Sequence, residues 1–130
     1  MTLSVRLSAK TARLTALRDD IDAGSGTAQL ILYDGPRPTA GGQATNALVV
    51  VDLPVPCGTI QGNILTLGLP DSTNAVGDGD ITWARITGRD GNWVIDMDAG
   101  DDPTTADLYI SPATVSTGGI IDFLDKRIAE

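Results

Sequence analysis

There is no histidine in this chain of 130 residues, one cysteine, one glutamate and very few aromatic rings. Each shortage removes a class of chemistry. Without imidazole, no Ser-His-Asp or Cys-His nucleophile system can be built, and zinc sites that rely on histidine are excluded. The single thiol, Cys57, can neither close an intrachain disulfide nor assemble a thiolate metal site. Beside Pro56 and Gly58 it reads as a small apolar filler rather than a nucleophile. One Phe, two Tyr and two Trp give little material for stacking on bases or sugars, and Trp83 and Trp93 read as core or hairpin-packing residues. Gly24-Ser25-Gly26 lacks the continuing glycine of a phosphate-cradling loop. Long apolar runs are also missing. The longest, Ala47 to Val51, is far short of the ~20 residues of a membrane span. Met1 to Lys10 lacks the apolar stretch of a secretory signal. These absences lead to the expectation of a protein made and assembled in a cytoplasm, with no cofactor, no membrane partner and no enzymatic role.

What is present fits one domain of ordinary composition. A hydrophobic share of 42% supports a core, and a chain of this length buries roughly two thirds of its unfolded surface. Of its 17 acids, all but Glu130 are aspartates. Aspartate bonds its own neighbouring backbone and favours turns, whereas glutamate favours helices. Many tight turns and little helix are therefore expected. The net charge of −8 repels phosphate backbones, which argues against nucleic-acid binding. The charge is unevenly placed, since Arg6, Lys10, Arg13 and Arg18 all precede the first acid, Asp19.

That basic segment is also the one helical pattern. Ser8 is positioned as an N-cap, and Gly24 as a stop. Leu14, Leu17 and Ile21 form one apolar stripe, which Leu7 extends a heptad earlier. The charges oppose the helix dipole, with Lys10 and Arg13 near the positive end and Asp19, Asp20 and Asp22 near the negative end. The helix must therefore dock its stripe against a sheet or a partner subunit.

Beyond Gly24 the texture is β. Ala28 to Tyr33, Ala47 to Leu53, Asn63 to Leu67 and Asp107 to Ile110 read as strands, and Arg37 to Gly42 and Pro70 to Gly79 read as loops. Ile81 to Thr87 and Trp93 to Ala99 flank Gly88-Arg89-Asp90-Gly91-Asn92, whose Asp-Gly supplies the positive φ angles of a tight hairpin. In the second arm Trp93, Ile95 and Met97 share one face, and Val94, Asp96 and Asp98 the other. The tail, Gly119 to Ile128, suits either helix or strand, with strand preferred. Short strands at spacings near ten residues predict a mainly β protein, an antiparallel β-sandwich of jelly-roll or Ig-like type with one N-terminal α-helix. It divides into a helical docking segment over 1–25 and a sandwich over 26–130.

Two constellations are candidates for function. Asp78, Asp80, Asp96, Asp98, Asp101 and Asp102 gather near the open end of the expected hairpin, where hard oxygen ligands could hold Ca²⁺. The glycine position and distal Glu of an EF-hand loop are missing, and solvated loop acids are the simpler reading. The second is the basic segment itself. Its plain reading is a solvent-exposed helix face. Its sharper reading is a docking arm: Arg6, Lys10, Arg13 and Arg18 meet an acidic patch on a neighbour, another copy of this acidic chain included, while Leu14, Leu17 and Ile21 pack the helix.

The order of motifs carries a resemblance. The helix Lys10 to Gly24 is followed by Ala28-Gln-Leu-Ile-Leu-Tyr-Asp-Gly-Pro-Arg-Pro38, then Thr82-Trp-Ala-Arg-Ile-Thr87, Asp90-Gly-Asn92 and Asp-Leu-Tyr-Ile at 107–110. This order is similar to a group of small structural proteins of tailed phages and prophages. The resemblance implies a virion part, a capsid decoration or cement protein or a neck or tail accessory, acting through other virion proteins and as a homo-oligomer. A tail-tip or fibre module that recognises a host surface ligand, with or without Ca²⁺, is the alternative. The resemblance transfers no active-site residue.

Overall fold

Residues 4–129 are described by the computed structural model; Met1, Thr2, Leu3 and Glu130, the outer ends of the two expected segments, lie outside the described residues. Among the described residues one helix, α1 (Leu7–Asp22), precedes twelve strands. These are β1 (Gln29–Tyr33), β2 (Ala47–Asp52), β3 (Gly58–Gln61), β4 (Ile64–Leu67), β5 (Ser72–Asn74) and β6 (Gly79–Asp80). They continue with β7 (Trp83–Thr87), β8 (Trp93–Gly100), β9 (Leu108–Ser111), β10 (Thr114–Val115), β11 (Ile120–Asp125) and β12 (Arg127–Ala129). The protein is mainly β with one helix, as its turn-forming composition implies, and the tail is strand. Pro70 to Gly79 is not wholly loop, because Ser72–Asn74 pairs with β11 through Ile120↔Asn74 and Ile121↔Thr73.

Seven strands run in the order β2-β1-β7-β8-β9-β11-β5, and β12-β4-β3 form a second, three-stranded sheet. All pairings are antiparallel except β8 with β9, which overlap only at Ala99↔Leu108 and Gly100↔Tyr109. So brief an overlap lets a seven-residue hook over 101–107 replace the long crossover that parallel strands usually need. A sandwich arrangement fits these sheets. The order reproduces neither the four-plus-three division of an immunoglobulin domain nor the paired four-stranded sheets of a jelly roll. The two rims of the large sheet approach each other, and the Val76 N–H donates to the Leu48 carbonyl at 2.8 Å across the seam.

Between the layers lies one core, which includes Leu30, Leu32, Val49, Leu65, Ile86, Ile110 and Ile121. Helix α1 is part of it. Leu14 and Ile21 are 1% and 0% exposed within the same cluster, and Leu17 packs against it. The stripe of α1 is thus satisfied inside the chain, against β3, β4 and β8, where helix and sheets share one core. Leu7, by contrast, is exposed at the helix start, beyond the reach of the core. Ser8 is not the N-cap. The helix begins at Leu7 after Arg6, with no side-chain cap, and the Thr11 hydroxyl instead reaches the Gly62 carbonyl at 2.6 Å.

The opposing dipole is answered at the other end. Arg89, in the hairpin turn, places its N–H on the Ile21 carbonyl at 3.1 Å and its Nη1 on the Asp22 carbonyl at 3.2 Å. A cation thus meets the negative helix terminus, and orphan carbonyls find donors. The hairpin is present as expected, although Gly91 alone takes a positive φ and Asp90 instead accepts the Asn92 N–H. No helix among the described residues is long and apolar enough to cross a membrane.

Candidate interaction surface

The register of the central strands sorts their side chains onto two faces. Leu30, Leu32, Ala84 and Ile86 point into the core, so Tyr33, Trp83 and Arg85 point the other way, with Asp96 opposite Arg85. On most two-layer proteins that outward face meets water. Here it is covered, and Trp83 is fully buried. Tyr33 stacks on Trp83 with ring centroids 4.4 Å apart and planes 18° from parallel, and the Arg85 guanidinium lies 5.2 Å from a Trp83 ring centroid. This is a second, smaller cluster, separate from the main core.

Its roof is the segment joining β1 to β2, residues 34–46. Arg85 and Asp96 hold the middle of the roof. Their side chains are 10% and 5% exposed, and Nε to Oδ1 and Nη2 to Oδ2 span 2.7 and 3.1 Å. Each group also reaches the loop: Arg85 Nη2 donates to the Gly42 carbonyl at 2.7 Å, and Asp96 Oδ2 accepts the Gly41 N–H at 3.0 Å. Burial works to raise the Asp96 carboxyl, but the Arg85 guanidinium and the Gly41 N–H more than reverse it and hold the group below its ordinary range. The same partnership holds the Arg85 guanidinium above its usual value. Tyr33, buried beside them, is pushed up by desolvation.

The ends of the roof are tied separately. Trp83 Nε1 donates to the Asp34 carbonyl at 3.1 Å and to Thr45 Oγ1 at 3.0 Å. Thr45 and Thr82 hydroxyls donate to the Asp34 and Gly35 carbonyls. Asp34 Oδ1 accepts the Asn46 N–H at 3.0 Å, and this and the Asn46 side chain hold its carboxyl below the usual range. No buried side-chain polar atom among the described residues lacks a partner. A loop of prolines and glycines is thereby fixed in place.

Trp93 sits at the roof's edge, where the period-two pattern fails. The pairing passes from Ile86↔Ile95 to Thr87↔Trp93, so Val94 is an extra residue on β8. Such a bulge re-aims the side chain beyond it. Trp93 leaves the face of Ile95 and Met97, remains 44% exposed, and lies against Gly41. Gly41 has φ +72°, and a Cβ there would overlap the indole. Trp93 is thus not a core residue, and it does not share the face of Ile95 and Met97 that the alternation implies. Beside it runs a groove of about 340 Å³ lined by Arg37, Pro38, Thr39, Ala40, Val94, Ile95 and Asp96.

The sequence-nominated residues are distributed differently. Arg13 and Arg18 flank the buried stripe from opposite sides at 3.6 residues per turn, so the four bases do not share one face. Arg6 and Arg13 are exposed, Lys10 is half-buried, and Arg18 lies 3.9 Å from Asp19. The calcium candidates do not converge. Asp96 is committed to Arg85, Asp80 accepts the Thr114 hydroxyl at 2.6 Å, and Asp102 accepts the Thr104 N–H at 2.9 Å. Asp98 faces Arg37 at 3.5 Å, Asp101 is exposed, and Asp78 accepts the Thr117 N–H at 2.6 Å. No three acids among the described residues form a group able to hold a metal ion. Cys57 is fully buried, and desolvation, with the Asp22 carboxylate beside it, pushes its thiol up to about 12.

No family model matches the chain, and no curated protein and no solved structure matches it either.

Proposed function

We propose that this chain is a structural protein of a tailed-phage virion, a capsid decoration or cement protein or a neck or tail accessory, which acts by binding other virion proteins. The observation that carries the reading is the anchored roof. The one buried cation among the described residues, Arg85, and its carboxylate partner are spent on fixing a loop, not on a reactive centre. A loop fixed before contact loses little freedom on binding, and many weak contacts of this kind add up when copies are arrayed. The motif order resembling phage structural proteins supplies the setting. Arg6, Lys10 and Arg13 add a cationic end to an acidic molecule, which favours head-to-side contact between copies in a homo-oligomer.

Quantitative mass spectrometry of purified particles tests this. Copies in the hundreds place the protein on the shell, and far fewer place it at the neck or tail. Its absence from particles refutes the reading. Charge reversal at Arg6 and Lys10 should then reduce particle association while leaving the fold intact. Deleting the helix is not a usable test, because the core would lose Leu14 and Ile21.

A second reading, a tail-tip or fibre module that recognises a host surface ligand, is favoured by the exposed Trp93 groove. Its calcium-dependent form has no support in the placement of the aspartates.

A further inference from the structure

Three properties of the Trp93 groove converge on one class of ligand. Its apolar surface includes a flat ring: the half-exposed indole, beside Pro38, Ala40 and Val94. Its two charged lining residues are each neutralised by a partner beyond the lining, Asp96 by Arg85 and the half-exposed Arg37 by Asp98 at 3.5 Å. One wall, residues 37–40, leads directly into Gly41 and Gly42, which Asp96 and Arg85 clamp, and the other belongs to strand β8. Pockets of this size bury small ligands, and a few placed polar groups among apolar ones set their orientation.

A small neutral molecule with a flat apolar face and hydroxyls around its edge is a pyranose. We propose that the groove binds a terminal neutral pyranose of a glycan, a hexose or N-acetylhexosamine. The C–H face of the sugar lies on Trp93, a ring hydroxyl accepts from the Arg37 guanidinium, and Thr39 adds a hydroxyl at the rim. Acidic sugars are disfavoured by the −8 charge of the chain. One indole is enough for one sugar ring, so the scarcity of aromatics limits the length of glycan held rather than excluding binding. The inference rests on the groove being a binding surface, the second reading above, and not on particle association.

The test is saturation-transfer NMR on the full chain with glucose, galactose, mannose, N-acetylglucosamine and N-acetylgalactosamine, and with sialic acid as the anionic comparison. At least one neutral sugar should receive transfer, centred on its ring C–H protons. Trp93→Ala should weaken binding about tenfold, the effect of losing one good aromatic contact. Arg37→Met should weaken it by a smaller factor. Trp83 is fully buried, so its near-UV circular dichroism reports that both variants remain folded. No transfer to any neutral sugar, transfer unchanged by Trp93→Ala, or transfer to sialic acid alone overturns the proposal. Mass spectrometry of particles is indifferent to all three results, so a failure here and a failure of the virion reading are told apart.

Discussion

Arg85→Met removes the cation hydrogen-bonded to Asp96 and leaves a carboxylate that is 5% exposed with the Gly41 N–H as its remaining close donor. Breaking a buried pair from one side costs about 3–5 kcal/mol, because the surviving charge stays desolvated. The lower end, about 3 kcal/mol, applies here because Gly41 still donates and Arg37 stands nearby. At about 4 °C per kcal/mol for a domain of this size, Tm should fall by about 12 °C. Urea unfolding and calorimetry at pH 7 measure both quantities. The pH dependence has a definite sign. The native Asp96 carboxyl lies below its ordinary value of about 3.9, so its stabilisation is present above that pH and is lost as pH falls through the native value. In the variant, burial acts without the guanidinium, the carboxyl rises, and protonation relieves the stranded charge. The gap between the two proteins should therefore be widest near neutrality and narrow in acid. Adding Asp96→Leu to Arg85→Met should recover part of the loss, although residues 41 and 42 stay untied. A single variant within about 1 kcal/mol of wild type, the range of solvated surface pairs, would refute the reasoning.

Leu14→Ala should destabilise the whole protein by about 2–5 kcal/mol in urea unfolding, in one cooperative transition, because the helix belongs to the common core. Loss of helix signal ahead of the sheet would contradict this. Gly41→Ala combines a left-handed backbone with overlap on the indole, and should cost about 1–2 kcal/mol and shift the emission of the exposed tryptophan. Cys57 should resist a thiol-specific disulfide reagent at pH 8 until urea is added, since its thiol is buried and pushed up to about 12. Rapid stoichiometric labelling of the native protein would show otherwise.

Local chemistry was legible where a single element decides it. Valine-rich Ala47–Asp52, the hairpin around Gly91 and the apolar stripe of α1 all follow from period and turn residues. Three features depend on pairs distant in sequence and leave no local trace. Arg85 looks like an ordinary polar position in a strand until Asp96 is placed opposite it and Gly42 above it. Trp93 follows the alternation of β8 on paper, and only the extra residue Val94 turns it outward. Arg89 reads as a turn residue, yet it completes the end of a helix more than sixty residues away. The acids misled for the same reason. Clustering along the chain around 96–102 does not make a metal-binding group, since Asp96, Asp98 and Asp102 each turn to a partner of their own.

The seam at Val76 and Leu48 governs how copies of this protein coexist at high concentration. An unpaired strand rim is a template on which a second chain can grow. Here one rim is a strand of three residues, and on the other the Leu48 carbonyl is already taken by the Val76 N–H of the same molecule. On this sheet, open-ended cross-β growth therefore finds little free backbone to start from.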